Sequence, residues 1–350
     1  MKPNHLLLFV IIFAINLYSQ DSKDDLNSTM QKLSKDAGTA YVGPTASAFG
    51  ADLNSGWIHR VPKATLFGID IEFGIVAMGT SFSNDKQTFS TSGTFRFNRE
   101  EADQLIPASY QGAIREAMID QIVQHDFNVG ISGPTLVGAK KDSVKIAFQG
   151  ATVNGNTIPG KNIALPVTGH LEDLPLSLFP AFAPQLTIGT IYGSSIAFRY
   201  VPSIKLSDKF GNFTYFGVGV QHNPAMWLPF PLPLEVSIGL FTQTMKLGDI
   251  FKSSATTFGI FGSKTFGPGA FNVTPYAGLS YESSSTDVSY DFVVDYPISG
   301  TKEHVAFNLT GDNAVRLMIG AAFKLGVVSL NIDYNISNYN VVSAGFGFIL

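Results

Sequence analysis

The sequence predicts an all-β fold: an outer-membrane antiparallel β-barrel of about 14 strands, or about 12 on the clearest segments alone, with a small N-terminal helical plug and one loop helix. Three observations carry this reading. First, residues 342–350 alternate without a break. Val342, Ala344, Phe346, Phe348 and Leu350 share one face of an extended strand, and Ser343, Gly345, Gly347 and Ile349 share the other. Large apolar groups on one face and mostly glycine or serine on the other suit a sheet whose outside meets hydrocarbon and whose inside is crowded or wet. Second, hydrophobic residues make up 45% of the chain and charged residues 14%, against roughly 25% charged in soluble domains. The mean hydropathy is +0.17, yet no long apolar run follows the start, so the apolar residues must be spread at every second position over many strands. Third, the chain opens as an export signal does: Lys2, an apolar run from Leu6 to Ile15, then Leu17, Tyr18 and Ser19 before a polar stretch from Gln20 to Asp25. Cleavage is expected near Ser19, because a run of roughly ten apolar residues is about half of what a spanning helix needs.

Composition also excludes some classes. With no cysteine among 350 residues, the chain has no disulfide, no thiolate metal site and no lipid-modified cysteine. A net charge of −4 argues against nucleic acid as a partner. The 29 Phe and 12 Tyr suit aromatic girdles at two membrane interfaces, and the 34 Gly relieve crowding inside a barrel.

Three segments are expected: residues 1–19 as signal peptide, 20–56 as helix and plug, and 57–350 as the transmembrane barrel. In the second, Asp21 and Ser22 offer caps, Leu26, Met30, Leu33 and Ala37 recur at helical spacing, and Gly38 reads as the stop. Residues 39–56 are rich in Gly, Ala, Ser and Thr and read as a compact plug, with a flexible periplasmic arm as the alternative. Strands then begin near Leu66, where Ile69, Ile71, Phe73 and Ile75 alternate with Asp70, Glu72 and Gly74. Acids on that inward face require a polar lumen. Further wall strands are expected at 88–97, 126–132 and 143–153. Before the second of these, Asn98 caps a loop helix whose start carries Glu100, Glu101 and Asp103; Pro107 interrupts it, and Ile114, Ala117, Met118 and Ile122 form its apolar stripe.

Residues 154–185 hold Pro159, Pro166, Pro175, Pro180 and Pro184 and read as a long connection. Its Leu174, Leu176, Leu178, Phe179 and Phe182 must fold inward, contact lipid or line a ligand entrance. The second half reads as strands at 186–191, 195–203, around Phe216 to Val220, around Leu234 to Leu240, and at 255–264, 271–282, 313–324, 327–336 and 339–350. Short links near Gly138, Gly193, Trp227, Pro268 and Gly326 are assigned to the periplasmic side. The loop helix, the proline-rich connection and the polar stretch 283–312 are assigned to the outside. Met226, Trp227, Leu228 and Phe230 among prolines read as an interfacial belt segment.

The start Ala40-Tyr41-Val42-Gly43-Pro44, the strand count, the sizeable outer loops and the aromatic finish resemble the FadL/TodX-like family of outer-membrane transporters for long-chain fatty acids and aromatic hydrocarbons. The segments 184–193 (PQLTIGTIYG) and 216–222 (FGVGVQH) resemble a branch of exported proteins from Bacteroidetes-like bacteria. The resemblance implies passive uptake of a hydrophobic small molecule, caught outside by an apolar surface and released past a shifting plug or through the wall. Leu174, Leu176, Leu178, Phe179 and Phe182 are the expected capture surface. The alternative is a structural barrel that acts as a scaffold or shuttle in a secretion or surface-attachment system. Expected partners are outer-membrane lipid, lipopolysaccharide and the barrel-assembly machinery.

Catalysis is not expected. The histidines are scattered without metal-ligand spacing, and no Gly-x-Ser-x-Gly elbow occurs, so no metal or cofactor is called for. Ser194 or His222 could join a hydrolase set assembled across strands. Glu282, Asp287, Asp291, Asp295 and Glu303 form either a solvated acidic face or a divalent-cation site bridging lipopolysaccharide.

Overall fold

The computed structural model describes residues 26–153, 155–171, 178–207, 211–294 and 301–350. The expected signal peptide at 1–19 and the caps at Asp21 and Ser22 lie outside them. In chain order the elements are α1 (Leu26–Leu53), β1 (Phe67–Ser81), β2 (Thr88–Phe95), α2 (Arg99–Leu105), α3 (Ala113–Val123), β3 (Phe127–Pro134), β4 (Ser143–Gln149), β5 (Ala151–Val153), β6 (Asn156–Ile158), β7 (Lys161–Thr168), β8 (Leu178–Ile191), β9 (Ser194–Ser207) and β10 (Gly211–His222). There follow β11 (Glu235–Leu247), β12 (Phe251–Ser263), β13 (Phe271–Val294), β14 (Thr301–Thr310), β15 (Val315–Leu325), β16 (Val328–Ile336) and β17 (Val341–Ile349). They divide between two compact units.

One unit, from Thr45–Phe82, Leu174–Asp291 and His304–Leu350, is a closed antiparallel barrel of ten strands in the order β1, β8, β9, β10, β11, β12, β13, β15, β16 and β17; β14 pairs with β13 as an extra strand. Closure comes from β17 against β1, in register from Glu72↔Ile349 to Thr80↔Val341. A closed ring leaves no unpaired edge. Period-two alternation then sorts the side chains: on β1, Glu72 is 6% exposed while Phe73 is 57% exposed. Each of the ten strands turns large apolar groups outward, among them Phe182, Tyr200, Leu279, Ile332 and Phe346. The inward positions carry Gln185, Arg199, Gln243, Glu282, Arg316 and Asp333, all buried. Among the described residues no helix is long and apolar enough to cross a membrane.

The expected count of 14, or 12, is corrected to ten. Segments 88–97, 126–132 and 143–153, read as wall strands, supply β2, β3, β4 and β5; β2, β3 and β4 form a separate sheet in the order β2, β3, β4, β7, and β5 pairs with β6. Alternation identifies a strand but not the sheet it joins. The difference lies in what meets the apolar face: Phe127, Val129 and Ile131 of β3 are buried in a core with Phe95, Val144 and Val167, as in a water-soluble domain. The proline-rich connection is corrected too, because Pro180 and Pro184 lie inside β8, opposite Gly79 and Ile75 of β1. Of the polar stretch expected as the loop 283–312, residues 283–294 continue β13 and 301–310 form β14, while 295–300 lie outside the described residues. The turns near Gly193, Trp227, Pro268 and Gly326 share one end of the barrel, as expected, whereas Gly138 belongs to the other unit.

That second unit draws on Met1–Pro44, Ser83–Asp173 and Phe292–Glu303. Its core packs Leu33, Ala37 and Tyr41 of α1 against β2 to β4, β7 and α3. The Tyr41 hydroxyl donates to the Thr168 carbonyl at 2.8 Å. The expected loop helix is two helices parted around Pro107. α2 starts with a complete capping box, in which the Asn98 side chain accepts from the Glu101 amide and the Glu101 side chain accepts from the Asn98 amide. α3 buries Met118, Ile119 and Ile122. Arg115 pairs with Asp103 at 2.5 Å and Arg99 with Glu116 at 2.6 Å, which ties α2 to α3.

The helix stop expected at Gly38 is also corrected. α1 continues through Gly43 and Pro44 to Leu53. Glycine costs about 1 kcal/mol and proline about 3 kcal/mol in a helix interior, but Leu33, Ala37 and Tyr41 bury before the interruption and Ala48, Ala51 and Leu53 after it. Burial on both sides outweighs the local penalty.

Candidate functional site in the barrel lumen

The last turns of α1 and the irregular segment 54–62 lie inside the ten-stranded ring, nearly all of it buried. A helix end leaves carbonyls without partners and a partial negative charge, and the last turn of α1 carries no basic residue. The wall supplies the cations. Arg316 donates through Nη2 to the Ala51 carbonyl at 2.9 Å and pairs with Glu282 at 2.7 Å. Arg199 donates to the carbonyls of Leu53 at 3.3 Å and Ser55 at 2.9 Å, and its Nε donates to Gln185 Oε1 at 3.0 Å. The Gln243 amide also donates to the Leu53 carbonyl, and Thr80 donates to Asp52 at 2.7 Å.

Below the helix the chain turns at Gly56, whose φ of +66° favours glycine. A Cβ there would stand 2.4 Å from Val76. Trp57 then lies under the Arg199 guanidinium, 4.0 Å from its centre, and against Phe241 at 5.3 Å. Inward Gly219 makes room for Phe241, since a Cβ there would come within 2.0 Å of the ring. His59 meets Glu72 at 2.7 Å, and Arg60 bridges Asp70 at 2.8 Å and Glu72 at 3.1 Å. Farther along, Asn223 donates to the Pro62 carbonyl at 2.8 Å and the Ala64 amide donates to Glu235 at 3.2 Å. The acid expected to need a polar lumen, Glu72, has one.

A cavity of about 20 Å³ between His59, Glu72, Gln185 and Asn331 is water-sized. An eight-stranded barrel is just wide enough for side chains to fill, and open aqueous channels belong to 16–18 strands. In this ten-stranded ring the space is taken up by the end of α1 and the buried residues that follow it.

The profile of a family described as "Family of unknown function (DUF6588)" matches residues 1–350. The chain belongs to that family. No curated protein matches this DUF6588 chain. Solved structures similar to it include a loop-deletion mutant of OmpT, an outer membrane protein of Vibrio cholerae, at 9% identity and TM-score 0.23, covering 81% of this chain and 99% of that one. A deletion mutant of the TodX monoaromatic hydrocarbon channel aligns at 7% identity and TM-score 0.19, covering 81% and 90%. A BenF-like porin from Pseudomonas fluorescens Pf-5 aligns at 10% identity and TM-score 0.16, covering 84% and 100%. At such scores these likenesses carry no argument about fold or function, and the DUF6588 barrel stands on its own strand pairing.

Of the residues expected to capture a ligand, Leu174 and Leu176 lie outside the described residues. Leu178, Phe179 and Phe182 belong to β8 and not to a loop. Phe182 is 66% exposed on the outer face, opposite Ala77. Glu282, read as part of an acidic loop, points inward and is committed to Arg316; Asp287 accepts from Asn308 at 2.7 Å. Ser194 and His222 do come together, Oγ to Nδ1 at 2.9 Å. Trp227 donates to His222 Nε2 at 3.0 Å. Since indole only donates, that ring nitrogen must accept, and the neutral imidazole keeps its proton on Nδ1 and donates it to Ser194. A histidine that donates to the serine is not its general base. The residues that fasten the plug in this DUF6588 chain, Trp57, His59, Arg199 and Arg316, were not singled out from sequence. For Arg199 and Arg316 the one available signal was charge at inward positions of otherwise apolar strands.

Proposed function

We propose that this DUF6588 protein is an outer-membrane barrel with a closed lumen that serves as a structural or interaction scaffold, carrying the folded unit inserted between β1 and β8. The observation that carries this reading is the lumen itself, filled by residues 45–62 and fastened by Arg199 and Arg316 to the helix end. Membrane placement rests on the apolar outward faces of all ten strands, which in water would be a liability. The reading requires export with cleavage near Ser19, the barrel-assembly machinery to insert the chain, and lipid and lipopolysaccharide around the belt. The short-turn end then faces the periplasm.

A second reading is passive uptake of a hydrophobic small molecule, with Leu174, Leu176, Leu178, Phe179 and Phe182 as its capture surface. It is favoured by the Arg60 to Asp70 pair of the lower fastening, because a partly exposed ion pair exchanges readily for water. Against it stands the polar wall, where a hydrocarbon chain would displace hydrogen bonds without replacing them. Liposome uptake of labelled fatty acid, with the full chain and with a chain lacking residues 21–56, separates the two. The scaffold reading expects no uptake from either; uptake by the full chain overturns it.

A further inference from the structure

A groove of about 640 Å³ is cut into the outer wall of the barrel near its short-turn end, across β8 to β12. Its walls are Ile188, Ile196, Val220, Ile238, Leu240 and Phe258, and its size is that of a small-molecule site. It forms where the pairing of β8 with β9 is irregular between Gly189 and Ile191 and where the outward position on β9 is the small Ser194. Behind it, inward Ala197, Arg199 and Phe241 are buried, so the groove opens outward and is no entrance to the lumen.

At its rim runs a chain of hydrogen bonds. Trp227 donates to His222, His222 to Ser194, and Ser194 to the Tyr192 carbonyl over a long 3.4 Å. The last bond is weak enough for the serine hydroxyl to turn toward a better acceptor. Trp227 is 68% exposed, with the amphipathic character that places indole at membrane interfaces.

We infer that this groove holds an acyl chain of one glycerophospholipid from the surrounding leaflet, with the lipid's ester region level with Ser194, His222 and Trp227. The inference rests on the membrane reading above. Two features select the occupant. The groove is continuous with the hydrocarbon-facing belt, since Val220, Leu240 and Phe258 occupy the same outward register as the residues around the ring. Its apolar trough also ends at a polar rim, which is the profile of an amphiphile. A plain hydrocarbon has nothing to offer Ser194, whereas an ester carbonyl accepts from its hydroxyl.

The test is native mass spectrometry of the full protein extracted from membranes into mild detergent, after delipidating washes. One glycerophospholipid is expected to stay bound per chain. Val220→Trp and Leu240→Trp fill the groove from exposed positions and should lower retention at least ten-fold. Ile332→Trp, equally outward on β16, should leave it unchanged. Equal retention in the groove-filled and wild-type proteins, or none in the wild type, overturns the inference. Heat-modifiable migration in gels checks each variant's fold. A chain that needs detergent yet retains no lipid defeats only the groove, whereas a chain that stays monomeric without detergent defeats the membrane reading as well.

Discussion

Arg316 shows how much rests on one buried side chain. It caps a helix it does not belong to and neutralises Glu282 in the same stroke. Removing one partner of a buried pair strands the other charge, which costs about 3–5 kcal/mol. Arg316→Met should therefore lower the temperature at which the folded gel band is lost, and adding Glu282→Leu should restore part of it. A single variant as stable as wild type contradicts the fastening described here. Tyr41 makes a prediction of another kind. Burial pushes its hydroxyl from 10 up to about 12, so between those values the unfolded chain gives up a proton that the folded chain keeps. Stability should fall as pH rises from about 10 to about 12. Tyr41→Phe should flatten that part of the profile, and, having lost the bond to Thr168, should cost about 1 kcal/mol at neutral pH. Thermal melts across the alkaline range decide it.

At the level of elements, what could be read in advance was what depends on neighbours in the chain. The capping box from Asn98 to Glu101 is such a feature. Asn98→Ala should cost about 1 kcal/mol and speed amide exchange in residues 99–105; unchanged protection there would show the cap to be idle. The alternation of β17 and of β1 was legible for the same reason, and Phe346 and Phe73 do face outward. Illegible were the features decided by distant partners. Pro180 and Pro184 advertise a loop, yet each sits in β8 against β1, because a proline loses only its own donor and the other residues keep the ladder. Gly38 advertises a helix end, yet α1 runs on because each half finds its own core. The strands β2 to β4 carry the same period as wall strands, and only tertiary packing tells a sheet whose apolar face is buried from one whose apolar face is exposed. For the site, Glu72 was visible as an inward acid, but its partners His59 and Arg60 lie in a segment with no period.

For the whole molecule, the filling and the first strand of the wall come from one stretch of chain in a fixed order: α1, the irregular segment 54–66, then β1. The strand that seals the ring against β1 is β17, the farthest along the chain of the ten. Contacts of such large sequence separation form slowly. A segment tethered directly to β1 and stitched to β9, β11 and β15 acts as an internal spoke set, tying strands far apart around the ring to one another without passing through the seam.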